Sequence, residues 1–341
     1  MRVMVAMSGG VDSSVAAAIL AEQGHEVTGV TLRLWGGVTD SGCCSVGDVE
    51  DARRVAAQLD LPHYVFDYAD EFADRVVEPY VRAYARGHTP NPCVACNRHL
   101  KFGRLLERAD LLGFDALATG HHARLRTADD STVRLVRAAD AAKDQSYVLV
   151  GLTQDELRRL RFPIGELTKA EVRARAAALG LRTAMKPESM DVCFAARRDR
   201  VEFVESRVGA TPGPILDVDG NEVGRHDGVA RFTIGQRRGL GVAAGERQYV
   251  VDVDAARHAV TVGPPAALLR DSLVVDALTF THEPPLNGAV LHAQVRAHGA
   301  PIPARFLDGR LEFLEPTPRV APGQVVAFYD GDVLVGGGVA A

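Results

Sequence analysis

Met7-Ser8-Gly9-Gly10-Val11-Asp12-Ser13-Ser14 stands between an apolar run, Val3 to Met7, and an alanine-rich run, Val15 to Gln23. The order is strand, glycine turn, helix. Two glycines without Cβ let a backbone take positive φ and close tightly on a ligand. The turn opens onto a helix N-terminus, where unpaired N–H groups and the helix dipole favour an anion. Ser8, Ser13 and Ser14 add hydroxyl donors. The stretch is a phosphate site but not a Walker A loop, because the GK[ST] ending is missing.

Working outward, strand-like and helical runs alternate. Glu26 to Leu34 and Pro62 to Phe66 read as strands, Asp48 to Leu59 and Phe72 to Ala85 as helices. Thr89 to Cys93 reads as an extended loop, Phe102 to Leu112 as a helix, and Asp115 to Thr119 as a strand ending at Gly120-His121-His122. Asp155 to Arg161 and Lys169 to Leu179 read as helices. This alternation predicts an α/β fold, a doubly wound parallel sheet with the glycine loop at the carboxyl ends of its strands. Beyond about Arg207 short alternating runs take over, among them Arg231 to Ile234, Gln248 to Val253 and Val290 to Ala297. They predict two small all-β domains. The expected division is 1–206, 207–269 and 270–341.

The 341 residues are 47% hydrophobic with a net charge of −5, which excludes a generally basic nucleic-acid binder and leaves local patches. No apolar run has membrane-spanning length, and strand and loop begin at once, so a cytoplasmic protein is expected. The lysines are Lys101, Lys143, Lys169 and Lys186 in a chain that otherwise uses arginine. Three of them fall in or beside motifs, where a compact ammonium has a use. The cysteines fall as Cys43-Cys44, Cys93-x-x-Cys96 and Cys193, a spacing that suits chemistry or metal binding better than a disulfide framework. Cys43 and Cys44 read as part of a packed loop without chemistry.

SGGxDS resembles the pyrophosphate loop of the ATP pyrophosphatases, or PP-loop proteins. More specifically, NPxxxCN at Asn91–Asn97 followed by Lys101-Phe102-Gly103, ATGH at Ala118–His121, KDQSY at Lys143–Tyr147 and SMDVCF at Ser189–Phe194 resemble the tRNA-specific 2-thiouridylase family. So do FTIGQRRGLG at Phe232–Gly241 and PGQ at Pro322–Gln324. The resemblance runs through the chain in the family's order.

That resemblance implies adenylation of the C2 oxygen of the wobble uridine in tRNAs for lysine, glutamate and glutamine, followed by sulfur transfer. It implies ATP, with Mg2+, held by Ala6, Met7, Ser8, Gly9, Gly10, Val11, Asp12, Ser13, Leu32 and Gly120. Asp12 is the one candidate Mg2+ ligand. Cys193 would carry a persulfide and Cys96 would be the catalytic nucleophile, with a Cys96–Cys193 disulfide as the product left on the enzyme. The tRNA would meet Asn91, Pro92, Cys93, His121, Lys143, Asp144, Gln145, Arg237, Arg238, Arg296, Ala297 and Gln324. A cysteine desulfurase or sulfur relay protein would supply the persulfide.

One position departs from the family, which often has aspartate where this chain has Cys93. A second route is therefore open: Cys93, Cys96 and Cys193 as three thiolates of a [4Fe–4S] cluster. His122 reads as solvent-facing, and His292, Gln294 and Arg296 as one exposed face of a strand. Two other functions compete. One is a PP-loop synthetase that amidates its substrate, which leaves the cysteines idle, and the other is a nucleotide sensor that never turns over.

Overall fold

The computed structural model describes residues 1–35, 46–187, 192–195, 200–242 and 247–341. Cys43, Cys44 and Ser189 to Asp191 lie outside them. No described helix is long and apolar enough to cross a membrane.

β1 (Arg2–Ala6), β2 (Glu26–Arg33), β3 (His63–Asp67) and β4 (Ala116–Thr119) form a parallel sheet in the order β3-β2-β1-β4. The order reverses between β1 and β4, and Ala6 pairs with Thr119 there. Ligands of such sheets bind at that crevice. The central strands β1 and β4 are buried on both faces, as parallel strands under two helical layers are, whereas the edge strand β3 leaves Tyr64 and Val65 exposed. Val3, Val5 and Met7 join the core under α1 (Val11–Glu22) and α2 (Val46–Gln58), while Met4 joins the core on the other face with Phe72, Tyr80 and Leu100. α1 buries nine residues, mostly alanine, serine and valine, whose small side chains let the helix lie close on the sheet.

Several elements differ from expectation. Residues 92–111 form one helical run beginning at Pro92, so Cys93 sits in its first turn and Cys96 at the start of its second rather than in a loop. Asn91 caps it, its Oδ1 accepting from Cys93 N–H at 3.0 Å and Val94 N–H at 3.3 Å. An asparagine followed by proline is a strong helix start. The helix expected over Asp155 to Arg161 is Gln154–Arg159, and Leu160–Arg161 instead adds an edge strand, β7, beside β4. Arg231 to Ile234 is not a strand: Val229–Arg231 is a 3-10 turn.

Between β4 and β7 stands an unexpected hairpin, β5 (Ala123–Thr127) and β6 (Val133–Arg137). It leaves the parallel sheet and pairs β6 with β17 (Val333–Ala340) near the C-terminus. There β12 (Leu269–Phe280), β13 (Val290–Gln294), β14 (Ile302–Leu307), β15 (Arg310–Pro318), β16 (Val325–Asp330) and β17 close into a six-stranded barrel. β16 is buried on both faces. Val326 and Phe328 fill the barrel, while Val325, Ala327 and Tyr329 belong to the core of the N-terminal domain. The middle region is a four-stranded sheet of β8 (Gly213–Leu216), β9 (Glu222–His226), β10 (Tyr249–Asp254) and β11 (Ala259–Gly263).

Candidate active site

The glycine loop closes on itself before it offers anything to a ligand. Ser13 and Ser14 both donate their hydroxyls to Gly10 O, at 3.2 and 2.8 Å, and Ser13 Oγ also accepts from Ser8 N–H. Ser14 is fully buried, so only Ser8 of the three serines keeps an exposed side chain. Gly10 caps α1 in extended conformation without a side-chain hydrogen bond. The remaining loop and first-turn N–H groups, rather than the hydroxyls of Ser13 and Ser14, are what the loop can offer an anion. Met7, Val11 and Leu32 are buried in the core, so what they can offer a nucleotide is backbone. Gly120, at the end of β4, lies directly against the first turn of α1: a Cβ there would stand 2.5 Å from Ser13 N.

Two lysines flank the loop. Lys169 Nζ donates to both oxygens of Asp12, at 2.8 and 2.7 Å. Lys186 Nζ reaches Gly9 O at 3.0 Å and one oxygen each of Asp48 and Asp51 at 2.7 Å. Burial works against the Lys186 charge, yet the two carboxylates hold its pKa above the ordinary lysine value. For Asp12 burial likewise favours the neutral form. Hydrogen bonds from His122 and Lys169 outweigh it and keep the carboxyl below the usual range.

His122 does not face solvent. It is 2% exposed, its Nε2 lies 3.2 Å from Asp12 Oδ1, and its Nδ1 finds no hydrogen-bond partner among the described residues. Its one mark in the sequence is its place as the second histidine after a strand-end glycine. His121 is buried too, its ring packed against Phe102 and Phe162 and its Nδ1 2.6 Å from Thr119 Oγ1. The ring is therefore closed off from direct contact with a nucleic acid in this structure.

Burial, then the nearby Lys101 and His122 charges, depress the His121 pKa well below 6.5, with Asp12 opposing. The unfolded chain thus takes up a proton near pH 6.5 that the native chain refuses, and stability must fall as pH drops below that point. Replacing His121 with glutamine is expected to flatten this fall by one proton, about 1.4 kcal/mol per pH unit. Urea unfolding of both proteins on the acid side would check it, and equal slopes would refute it. His63, His99 and His226, all shifted the same way, contribute equally to both proteins.

Of the thiols, Cys93 is exposed, Cys96 is buried and Cys193 is partly buried. Cys96 and Cys193 border the same apolar cluster. Phe194, next to Cys193, is gripped by Trp35, Phe72, Tyr80 and Phe203, with ring centroids 5.2–6.2 Å away. Among the described residues no three His, Cys, Asp or Glu side chains are grouped to hold a metal ion. The three cysteines therefore do not fit a three-thiolate cluster site here.

The residues matched to tRNA contacts divide into two groups. Asn91 and Gln324 come together at Tyr147, within hydrogen-bonding reach of its hydroxyl, which donates to Val325 O at 2.9 Å. Thr89 N–H bonds Pro322 O across the same seam. Arg296 is exposed, and its guanidinium lies beside Gly235 in the loop leading to Arg237 and Arg238, both exposed beside a cleft of about 570 Å³. Asp144 is different: its side chain is 7% exposed and serves Arg137, at 2.8 Å, and Ser146. Gln294 is 3% exposed, so the expected solvent face of His292, Gln294 and Arg296 is broken at its centre. Lys143 is partly buried and Gln145 exposed.

A glycine-serine loop feeding a helix N-terminus at the reversal point of a parallel sheet defines a PP-loop ATP-binding protein. Family models match nearly the whole length in three parts: "tRNA methyl transferase HUP domain" over 1–197, "tRNA methyl transferase PRC-barrel domain" over 201–264, and "Aminomethyltransferase beta-barrel domain" over 270–340. A tRNA-specific 2-thiouridylase MnmA of Roseiflexus sp. (strain RS-1) is 52% identical over 99% of this chain and 98% of its own. Those of Chloroflexus aurantiacus and Geotalea uraniireducens are 51% and 47% identical over 99% of this chain, covering 97% and 94% of their own. The chain belongs to the tRNA-specific 2-thiouridylase family.

Proposed function

We propose that this protein replaces the C2 oxygen of the wobble uridine in tRNAs for lysine, glutamate and glutamine with sulfur, converting ATP to AMP and pyrophosphate. The carrying observation is that Cys96 and Cys193 border one apolar cluster in a domain built around a pyrophosphate loop. A uridine carbonyl is a poor electrophile, and adenylation makes AMP its leaving group. A thiolate has no sulfur to spare, so the donor atom comes as a persulfide on Cys193.

The terminal persulfide sulfur attacks C2, and AMP departs. The Cys96 thiolate then attacks Cys193 Sγ, forming a Cys96–Cys193 disulfide and leaving the sulfur on the base. A dithiol reductant reopens the disulfide, and a persulfide donor such as a cysteine desulfurase or relay protein reloads Cys193. ATP brings Mg2+ with it. Both Asp12 oxygens are engaged by Lys169 and one also by His122, so no protein ligand to the ion is assigned. The reacting base leaves its stack to reach the site. Arg237, Arg238, Arg296, Ala297, Asn91, Pro92, Gln324, Lys143 and Gln145 are the tRNA contacts of this proposal.

The family model's description speaks of methyl transfer, which needs no pyrophosphate loop and no paired thiols. Nucleoside mass spectrometry separates the two. Unmodified lysine tRNA, incubated with the enzyme, ATP, Mg2+ and a persulfide donor, is expected to yield 2-thiouridine. A methylated base, or no tRNA-dependent pyrophosphate release, would overturn the proposal, the latter in favour of a sensor.

A further inference from the structure

One run of polar contacts joins the pyrophosphate loop to the β-barrel. It starts at Asp12, which His122 Nε2 meets at 3.2 Å. The His122 N–H donates to Gln145 Oε1 at 2.9 Å, and the His122 carbonyl accepts from Gln145 N–H at 2.8 Å. Next to Gln145, Asp144 accepts from Arg137 Nη1 at 2.8 Å and from the Ser146 hydroxyl at 2.8 Å. Arg137 stands at the end of the hairpin that leaves the sheet. Its Nη2 donates to Gln294 Oε1 on β13 at 2.8 Å, and its guanidinium lies 3.6 Å above the Tyr329 ring on β16. Gln294 Nε2 completes the run, donating to the carbonyls of Arg296 at 3.0 Å and Ala297 at 2.9 Å.

His122, Asp144, Ser146, Gln294 and Tyr329 in this run are all buried by side chain or residue. Apolar residues would join two domains with less desolvation, so a buried charged seam is weak as glue. What it supplies is register, because its buried donors and acceptors are paired with one another and a shift at one end leaves buried groups unpaired at the other.

We infer that this run couples occupancy of the ATP loop to docking of tRNA at Arg296 and Ala297, with His122 and Arg137 as its positioning residues. The inference rests on the proposed tRNA substrate. Neither His122 nor Arg137 touches a reacting atom; His122 holds Asp12, and Arg137 holds Gln294, which in turn holds the backbone of Arg296 and Ala297. Coupling of this kind is reciprocal: whatever factor tRNA adds to ATP affinity, ATP must add to tRNA affinity.

The test is a binding cycle with unmodified lysine tRNA and an ATP analogue methylene-bridged between the α and β phosphates, which cannot be cleaved. In the wild type each ligand is expected to tighten the other by the same factor, on the order of tenfold. His122→Phe, which cuts the run at the loop, is expected to bring that factor close to one while each ligand alone binds within about threefold of wild type. His122→Gln, which keeps a donor for Asp12, restores part of it. Gln294→Leu cuts the run at the barrel and leaves the Arg137–Asp144 pair intact, so it repeats the loss without stranding a carboxylate. A merely structural role would weaken both single-ligand affinities and leave the factor unchanged, which overturns the inference. A wild-type factor of one, in enzyme that makes 2-thiouridine, overturns it as well while the function stands. Enzyme that makes no 2-thiouridine removes the function itself.

Discussion

Cys193→Ser is expected to lower 2-thiouridine formation by on the order of a thousandfold or more, as removal of a covalent nucleophile does. Pyrophosphate release driven by tRNA should persist, because adenylation needs only the loop and the base. The two activities therefore separate, and that separation is the informative result. Cys96→Ser is expected to abolish thiolation equally when no dithiol is added, yet for a different reason: the Cys193 persulfide still attacks C2, but no thiolate then cleaves the sulfur–sulfur bond to release the base. Denaturing gels and intact-protein mass spectrometry would find tRNA joined to Cys193 through a disulfide that an added dithiol releases. Cys93, exposed in the first turn of the helix that buries Cys96, is the control. Cys93→Ser should change thiolation only a few-fold by the persulfide route, roughly the cost of altering one contact. If instead all three serine variants fail together, and the wild type isolated without oxygen carries iron and labile sulfide, the thiols rearrange into a cluster and the persulfide route is wrong.

The legible parts of this molecule are those whose cause lies within a few residues. The glycine loop sits between an apolar run and an alanine run, and the strand after Glu26 alternates; both dictate their local structure without help. The capped helix at Pro92 was equally local, since Asn91 followed by proline announces it, but the two prolines of Thr89 to Pro92 read as extended chain and hid the cap. Other features have their cause far away. β6 finds its partner in β17, nearly two hundred residues on, and no pattern within Val133 to Arg137 names it. β16 alternates like any barrel strand, yet both of its faces are buried because the N-terminal domain covers the outer one.

The site divides in the same way. Motif spacing marks the loop, the cysteines and the exposed arginines. It assigns Asp144 to a ligand and sets Gln294 on an exposed strand face, whereas the fold spends both on Arg137. His122 and Arg137 carry no motif weight, and only the assembled seam gives them a task. Lys169 and Lys186 lie between: scarce lysines in an arginine-using chain hinted at a role, and the structure sets one on each side of the loop.

Gly9→Ala tests whether that loop geometry is obligatory. Gly9 has φ +69°, a conformation that an L side chain holds only with strain. A Cβ there would lie 2.8 Å from the Asp48 carbonyl carbon and 2.9 Å from its Cα, and nearer still to its oxygen. These are backbone atoms and cannot swing aside, so the start of α2 must move or the loop must. Either movement pulls Asp48 and Gly9 O out of reach of one Lys186 ammonium. Strain of this kind costs about 1–3 kcal/mol, and the loss should appear as a lower thermal midpoint together with ATP affinity reduced by about tenfold or more. Gly10→Ala is the matched comparison. Its φ is −91°, and the nearest atom to an added Cβ is Ser8 Oγ at 3.6 Å, so its thermal midpoint should stay at the wild-type value. Equal midpoints for the two variants would mean that the loop relaxes freely away from α2, and that Lys186 does not brace it.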